Sequence, residues 1–516
     1  MNHTQESARQ PEQTRPIKIN TSLVRIKDED FGYPEARHLL LRAGFGGTDE
    51  QIRTLASWGP QAAVDHLLDY EDIPVEADAR TAFDHNIIRP PTDLERSSLA
   101  AARRAMDEAK ISQFQTMRNR AKAADRKQMR EIQIWWITRM IQSPRPLEEK
   151  LTLFWHGHFA SSFRTTEDSY HMYAQNRMLR ANATGNFGNL LRGIVRDPAM
   201  LRYLNNNQNR KSSPNENLAR ELLELFSLGE GNYSENDIKE GAKALTGYTY
   251  RDDAFYFNKN THDNNSKRVL GSQGNLDADG LVDAILRSNA CAYFICAKFY
   301  KFFVADITTD IRELAGPERT VVRNLSKAFQ GSRYEIKPVL RKLLLSQHFY
   351  DPSVMGDKIK SPIELLVGAI RTLNVPTRNV TTLSSAMDMM GQSVFMPPSV
   401  KGWDGGRSWI NTSTMFIRQN TLVYLISGRQ AGRKSIDRSN YDPTRLVPAM
   451  NDPRLDGDPP AKQIANELLD LALGYRPSGA AEQLVEAASA VDEPNSPEGI
   501  KTMLLLITSM PQYQLC

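Results

Sequence analysis

The chain is poor in cysteine and has no long apolar run. Its three cysteines, Cys291, Cys296 and Cys516, form neither a disulfide framework nor the spacing of a zinc site. No segment approaches the roughly 18 consecutive apolar residues that cross a bilayer. The polar N-terminus also lacks the apolar stretch of a secretory signal. We therefore expect no transmembrane segment and, from the sequence as it stands, a cytoplasmic location.

The chain also has little net charge. Its formal charge is +4 over 516 residues, with 40% hydrophobic and 24% charged residues, which is typical of a globular protein. Basic residues are dense between Arg103 and Arg130, within a helical pattern that runs from 91 to 143. Acidic residues interrupt them and few aromatic residues could stack on bases. We therefore expect a solvated helix face and no nucleic-acid partner.

Helical periodicity is what the sequence does have, almost throughout. Apolar residues recur at spacings of three and four, and capping boxes at Thr48–Gln51 and Ser234–Asp237 indicate two helix starts. One alternating stretch, residues 248–250 and 255–257 around a polar turn, predicts a β-hairpin. We predict a mainly α fold, a multi-helix globular bundle with one small β-hairpin.

Composition suggests four segments along the chain. Residues 1–32 are polar and aperiodic, which predicts a flexible N-terminal arm. Residues 33–428 form the predicted main helical domain. Residues 429–462 are rich in Arg, Asp, Pro and Gly, which is typical of a linker, and 463–516 predict a C-terminal helical tail.

Residues 213–229 read as one complete helix. Ser213 is the expected N-cap, with Glu216 completing a capping box, and Gly229 is the expected stop. Apolar residues form one stripe, while other positions place four polar side chains within reach of one another: Asn217, Arg220, Glu221 and Glu224. These residues form either part of a site or a solvated face with ordinary intrahelical ion pairs, and Glu216 is explained by capping alone.

Two histidines stand close together in His156-Gly157-His158. On a helix, positions two apart lie about 200° apart around the axis, so both imidazoles cannot bind one ion. The surrounding apolar residues favour a helix. We expect His158 to point inward and His156 elsewhere, and an inward histidine is either a hydrogen-bonded core residue or a ligand.

Two loops carry further polar and aromatic residues. His262-Asp263, followed by Lys267, comes directly after the predicted hairpin and could converge on a pocket. The segment 390–412 holds Trp403 and Trp409 in an irregular, proline- and glycine-rich stretch, which we call the tryptophan loop. It either plugs the core or lines a cleft in which aromatic faces stack on a ligand.

Four stretches of the chain resemble the bacterial family known as domain of unknown function 1800. They are EARHLLLRAGFGGTDEQI, FWHGHFASSF, the run from RANATGNFGNLL through PNENLARELLELFSLGEGNYSENDIKEGAKALTGY, and MGQSVFMPPSVKGWDGGRSWINTSTMFIRQN. Together they span about 35–420. The resemblance implies a mainly helical fold, frequent export from the cell, and a partner related to sulfatases, but no settled activity. Tyr248 stands where the family more often has tryptophan, and Asn205 where aspartate is common.

The first functional hypothesis is a metal-assisted or acid–base enzyme acting on a polar or anionic substrate. The catalytic candidates, which match family motifs, are His158, Arg220, Glu221, Glu224, His262, Asp263 and Lys267. The ligand-binding candidates are Asn186, Asn217, Lys401, Trp403 and Trp409. The candidate ligands for one divalent metal ion are His158, Glu221, Glu224 and His262. Histidine and carboxylate suit zinc, iron or manganese alike, so the metal stays open.

The alternative is a non-catalytic helical scaffold that docks a partner through the tryptophan loop. The two hypotheses differ in exposure, because a site places the tryptophans at the rim of a concave pocket with His158 inside. A third hypothesis is haem, from a passing likeness of residues 216–247 to a helix pair of animal-type haem peroxidases. The sequence has no recognisable proximal-histidine motif to support it.

Overall fold

The chain is mainly α-helical, as predicted. The structure is a computed structural model, and it describes residues 19–75, 82–429, 441–447 and 460–516. Within these residues lie 21 α-helices and two antiparallel two-stranded sheets. The fold prediction is therefore confirmed, including its β-hairpin.

The first nine helices form the N-terminal part of the bundle. They are α1 (Tyr33–Gly44), α2 (Asp49–Leu68), α3 (Asp93–Arg104), α4 (Glu108–Gln142), α5 (Pro146–His158), α6 (Phe163–Thr166), α7 (Ser169–Ala181), α8 (Phe187–Ile194) and α9 (Pro198–Tyr203). The predicted capping box at Thr48–Gln51 opens α2. The helical pattern from 91 to 143 is broken between α3 and α4, where Met106 adopts a φ of 50°.

The middle of the chain holds the strands. It comprises α10 (Asn217–Leu223), a π-helical turn (Glu224–Leu228), α11 (Glu235–Ala244), β1 (Tyr248–Arg251), β2 (Ala254–Phe257), β3 (Lys267–Val269) and β4 (Ser272–Gly274). The predicted hairpin is β1–β2, with Tyr248 opposite Phe257. The second hairpin, β3–β4, has strands of three residues each, which is too short for an alternating pattern to reveal.

The predicted helix over 213–229 is wrong at its start. Helix α10 begins at Asn217, and Ser213 bonds through its backbone to Arg210 in the preceding turn. The side chain of Asn215 accepts a hydrogen bond from the Asn217 N–H at 3.0 Å, so an Asx turn replaces the expected serine cap. At the other end, Gly229 stops the π-helical turn with a φ of 78°, as predicted.

The remaining helices complete the bundle. They are α12 (Ala278–Arg287), α13 (Asn289–Phe303), α14 (Gly316–Gly331), α15 (Ile336–Leu344), α16 (Pro362–Thr372), α17 (Val380–Met389), α18 (Thr412–Ser427), α19 (Ala461–Leu473), α20 (Ala480–Ser489) and α21 (Pro497–Ser509). Among the described residues, no single helix has the length and apolar character of a membrane span. Helices α12 and α13 have this length and apolar character only when they are taken together, and the chain bends by 79° between them.

One hydrophobic core runs through the described residues from α1 to α21. The C-terminal helices join it, because the buried Arg37 of α1 donates to the Leu471 carbonyl of α19 at 2.7 Å. The described end of the predicted N-terminal arm is also bonded, with Ile26 N–H donating to the Leu345 carbonyl at 2.8 Å. Residues 1–18 of that arm, and most of the predicted linker (430–440 and 448–459), lie outside the described residues. The four-segment division stays a prediction.

Candidate functional site

A cavity of about 520 Å³ opens where four elements meet. Its walls come from the C-terminal end of α5, the π-helical turn, the middle of α13 and the tryptophan loop, with further residues from the segments 306–313 and 358–364. Five of the predicted site residues line it: His158, Glu224, Lys401, Trp403 and Trp409. Residues far apart in the chain therefore converge on one concave space.

His158 lines the cavity from the last position of α5. Its side chain is 6% exposed, and its Nε2 lies 3.0 Å from the Phe226 carbonyl oxygen. Since a carbonyl only accepts, Nε2 carries the proton and Nδ1 keeps a free lone pair. Nδ1 has no hydrogen-bond partner among the described residues. Burial, with a smaller contribution from the charge of Lys298, lowers the pKa of His158 to about 3, so the ring is neutral near pH 7.

Lys298 lines the same cavity from α13. No hydrogen bond or ion pair joins its ammonium to any of the described residues, and the nearest aromatic ring is that of Phe294, with Nζ 5.2 Å from the centroid. Burial, with smaller contributions from the charges of Lys301 and Lys401, lowers the pKa of Lys298 to about 8. The cavity thus holds a cation that the protein does not pair.

Two neighbouring lysines of the cavity are paired. Lys301 lies 3.4 Å from Asp306, and Lys358 lies 3.5 Å from Glu364, whose carboxylate also accepts from the buried Lys150 at 2.6 Å. For Lys298 and Lys401, which line the same cavity, no ion pair is found among the described residues.

The π-helical turn brings Glu224 to the cavity. Ser227 donates its hydroxyl proton to the Leu222 carbonyl at 2.6 Å, and the Gly229 N–H reaches back to the Glu224 carbonyl at 3.0 Å. The π-helical turn contains Phe226, whose carbonyl accepts the hydrogen bond from the His158 Nε2–H group. Such turns are frequent at functional sites. The Glu224 carboxylate accepts a hydrogen bond from the Tyr233 hydroxyl at 2.5 Å.

The tryptophan loop is held against α5 by a close backbone contact. Gly402 has a φ of 79°, and a Cβ there would lie 2.2 Å from the Gly157 carbonyl oxygen, so only glycine fits. His156, which is 0% exposed, accepts a hydrogen bond from the Phe395 N–H at 3.0 Å. His158 points inward as expected, but His156 is buried as well, and it anchors the loop from outside the cavity that His158 lines.

Both tryptophans of the loop line the cavity. Trp409 is 7% exposed, and Trp403 is half-buried with its ring centroid 5.7 Å from that of His156. The indole N–H of Trp403 is buried and has no hydrogen-bond partner among the described residues. An apolar wall with one unused donor therefore faces the same space as Lys298.

The loop after the hairpin does not reach this cavity. Nδ1 of His262 lies 2.7 Å from the Thr246 carbonyl, and the ring packs on Phe257 at 5.0 Å between centroids. Lys267 donates to the carbonyls of Asp263 and Asn265 at 2.7 and 3.0 Å. These contacts hold the loop together, and the structure does not bring His262, Asp263 or Lys267 to His158.

Other predicted site residues lie on the surface or at helix ends. Arg220 pairs with Glu216 at 3.2 Å and with Glu235 at 3.0 Å, so the interpretation of Glu216 as only a cap is wrong. Asn217 is exposed at the first position of α10. Asn186 caps α8, with its side-chain oxygen accepting from Gly188 N–H at 2.9 Å. None of these residues lines the cavity.

Glu221 is half-buried beside the cavity without lining it. Burial raises the pKa of Glu221, and so does the charge of Glu224, while Arg220 and Lys401 lower it. Of the four predicted metal ligands, the structure therefore brings only His158 and Glu224 to the same cavity. Glu221 lies next to them and His262 lies elsewhere.

Lys298 is the cavity residue that the sequence interpretation missed. It stands in the apolar run SNACAYFICAKFYKFFV, which gives no site candidate in the sequence analysis. A lysine inside such an apolar helix is a usable signal, because its charge must be paired, exposed or functional. Nothing in the sequence indicates that Asp306 takes Lys301 as its partner and leaves Lys298 without one.

A second polar cluster lies away from this cavity, at the start of α7. One ligand-type atom from each of Asp168, His171 and Asp253 lies within 4.8 Å of the others. It is the one such group of three or more histidine, cysteine and acidic residues found in the described parts of the chain. The sequence interpretation did not anticipate it, because Asp253 comes from the β1–β2 turn and the other two from α7.

Comparison with known proteins gives one match, which is to a family model. Searches of curated proteins and of solved structures return no significant similarity. The family model described as "Protein of unknown function (DUF1800)" matches residues 38–515, which is nearly the whole chain and includes both the cavity and the cluster at α7. The chain therefore belongs to the DUF1800 family, as its motifs predicted.

Proposed function

We propose that the cavity binds a small anionic substrate and exchanges a proton with it. The observation that carries this proposal is that two groups without a hydrogen-bond or ion-pair partner among the described residues line one cavity, the Lys298 ammonium and the buried His158 Nδ1. A half-buried charge without a partner is unfavourable, so a carboxylate or phosphate-type group would supply the missing anion. The positive charge of Lys298 is the reason to expect an anionic substrate.

The lowered pKa of Lys298 suits proton transfer near neutral pH. With a pKa of about 8, the amine is mostly protonated at pH 7 but gives up its proton far more readily than an ordinary lysine. In the proposed step, the ammonium donates its proton to a substrate oxygen that develops negative charge. The resulting neutral amine then regains a proton from solvent.

His158 would orient the substrate. Its Nε2 proton is committed to the Phe226 carbonyl, so Nδ1 can only accept, and it would receive a hydrogen bond from a substrate O–H or N–H group. With a pKa of about 3 it is a weak base, which makes it a positioning acceptor rather than the group that removes the proton.

The aromatic wall would hold the uncharged part of the substrate. Phe294, Trp403 and Trp409 line the cavity, and the unused Trp403 indole N–H offers one donor. A flat or apolar moiety carrying one anionic group matches this combination. Docking of a partner through the tryptophan loop finds less support, because Trp409 is 7% exposed and both rings line the cavity.

The test uses pyridoxal 5′-phosphate as a probe, because it carries an anionic group and an aldehyde. The neutral amine of a lysine condenses with the aldehyde, releasing water, and borohydride then reduces the imine to a stable adduct. We expect peptide mapping of the full chain at neutral pH to find Lys298 modified before the exposed lysines. We also expect inorganic phosphate to protect it.

Lys301→Met is the matched control, since Lys301 lies on the same helix and is paired with Asp306. This variant should keep the fast labelling of Lys298, and Lys298→Met should lose the phosphate-protected adduct. Labelling spread evenly over surface lysines, with no protection by phosphate, would refute the proposal.

A further inference from the structure

The mouth of the cavity around Lys298 is acidic. It is formed by the chain that leaves the π-helical turn at 229–230, by the segment 306–313 and by residues 404–406 of the tryptophan loop. Four of its five carboxylates are exposed, and Lys401 is the one exposed lysine among the lining residues that the structure describes. A substrate that carried only negative charge would therefore meet like charges on entry, which weakens its binding. The five carboxylates, which we call the acidic rim, are those of Glu230, Asp306, Asp310, Glu313 and Asp404.

The three segments of the acidic rim lie against one another. The backbone of Gly406 approaches the Asp306 carboxylate so closely that a Cβ at this position would overlap it. In the chain that leaves the π-helical turn, Gly231 lies in the same way beside the Arg312 guanidinium, which pairs with Asp310 at 2.6 Å. The segment 306–313 thus contacts both of the others, and the rim is continuous.

Two carboxylates of the acidic rim stand without a partner in the described parts of the chain. Neither the Glu230 nor the Asp404 carboxylate has a hydrogen bond or an ion pair there. Asp306, in contrast, pairs with Lys301 at 3.4 Å. The cavity therefore leaves negative charge unpaired at its mouth and positive charge unpaired at Lys298.

Lys298 and the acidic rim are close neighbours. Nζ of Lys298 lies 5.2 Å from the centroid of the Phe294 ring. A Cβ on Gly229, the residue before Glu230, would lie 2.9 Å from an edge atom of the same ring. One phenyl ring therefore separates the ammonium from the start of the rim, and a small molecule with a charge at each end spans that distance.

The aromatic wall of the cavity suits an ammonium group at the mouth. Trp403 directly precedes Asp404, and both line the cavity together with Phe294 and Trp409. The face of an indole or phenyl ring attracts a cation, and a nearby carboxylate adds to that attraction. The anionic group proposed at Lys298 gives the rim no role, whereas a positive group on the same substrate gives it one.

We propose that the substrate is a small zwitterion, with its anionic group at Lys298 and an ammonium group at the mouth, beside Trp403 and the carboxylates of Asp404 and Glu230. The anionic end rests on the proposed function, and the cationic end goes beyond it. Such a molecule has no net charge, so the acidic rim does not repel it. It supplies a partner to the unpaired charges of both signs.

Calorimetric titrations of the full chain with phosphocholine and with 3,3-dimethylbutyl phosphate test the cationic end. The two probes have the same shape, but the second has a carbon atom in place of the quaternary nitrogen and so lacks the positive charge. We expect phosphocholine to bind about fivefold more tightly or better. Lys298→Met should weaken the binding of both probes by about tenfold or more, because both carry the phosphate group.

An Asp404→Asn, Glu230→Gln double variant should remove the preference between the probes. Both side chains are exposed, so the substitutions keep the shape of the mouth and take away only its unpaired charge. We expect the affinities for the two probes to agree within about twofold in this variant. Asp388→Asn is the matched control, because Asp388 is an exposed aspartate that does not line the cavity, and it should keep the preference for phosphocholine.

Two results would overturn the zwitterion and leave the proposed function standing. One is equal affinity of the wild type for the two probes, with both depending on Lys298. The other is a preference for phosphocholine that persists in the double variant. If neither probe binds, the zwitterion is also overturned, and phosphate protection of Lys298 from labelling decides the proposed function by itself. Binding that is unchanged in Lys298→Met would overturn both.

Discussion

The two ends of helix α5 handle buried polar groups in opposite ways. Near its N-terminus, Glu149 is 0% exposed and accepts hydrogen bonds from Trp136 at 3.0 Å, from Arg139 at 2.5 Å and from Arg180 at 2.9 Å. At its C-terminus, His158 keeps an unpartnered nitrogen facing a cavity with an unpaired lysine. One helix therefore carries a saturated polar cluster and an unsaturated one.

The difference separates structural from functional polarity. Burial alone would raise the pKa of Glu149, but Arg180 and Arg139 hold it below its ordinary value, so the carboxylate stays ionised and locks α4, α5 and α7 together. At Lys298 no anion opposes burial, and the pKa falls to about 8. A native protein keeps such a group where binding or chemistry uses it.

The largest expected effect comes from removing the charge of Glu149, whose hydrogen bonds hold the N-terminal end of α5. Glu149→Gln leaves the buried Arg180 guanidinium without its anion and leaves Arg139 with the more distant Glu148. We expect the free energy of unfolding to fall by about 3–5 kcal/mol, measured by urea unfolding followed by circular dichroism. Glu148→Gln is the control, because Glu148 lies 3.5 Å from Arg139 and makes weaker contacts. Equal losses in the two variants would show that Glu149 is not the centre of the cluster.

A substitution of Lys298, in the cavity at the C-terminal end of α5, should change the free energy of unfolding in the opposite direction. Lys298→Met removes an unpaired charge and keeps the length of the side chain. We expect the free energy of unfolding at pH 7 to rise by about 1–3 kcal/mol while phosphate-protected labelling is lost. Lys301→Met, which breaks the pair with Asp306, should not raise stability. A destabilised Lys298→Met protein would mean that its charge is satisfied within the fold.

The pH dependence sharpens the same contrast. The pKa of Lys298 is lowered from 10.5 to about 8, so the unfolded chain binds more protons than the native state between these values. The native state is therefore penalised below about pH 8, and the penalty fades as the pH rises toward 10.5. Unfolding at several pH values should show the gap between Lys298→Met and wild type shrinking across that window. A constant gap would contradict the lowered pKa.

Local signals in the sequence predicted the fold well. The capping boxes at Thr48–Gln51 and Ser234–Asp237 both open helices, and the β1–β2 hairpin lies where the alternation placed it. These features depend on residues close together in the chain, so one sequence can display them. The predicted Ser213 cap is wrong because the side-chain oxygen of Asn215 accepts the hydrogen bond from the first N–H of α10.

Contacts between distant residues were harder to predict. The sequence pointed to His158 and the tryptophan loop, and the structure brings them together. The sequence gave no reason to separate His262 from them. That separation depends on the Thr246 carbonyl, which holds the His262 ring against the hairpin. Likewise, only the folded chain places Asp253 beside His171. Charge pairing across the fold cannot be read from spacing.

The smallest expected effect belongs to Arg220, which was a catalytic candidate from the sequence. Its guanidinium pairs with Glu216 and Glu235 near the surface, and its side chain is 37% exposed. Solvent screens such pairs, so Arg220→Ala should change the melting temperature by less than about 2 °C in scanning calorimetry. Because Arg220 does not line the cavity, Lys298 should keep its phosphate-protected labelling in this variant. Loss of that protection would instead extend the site along α10 and restore the sequence-based role of Arg220.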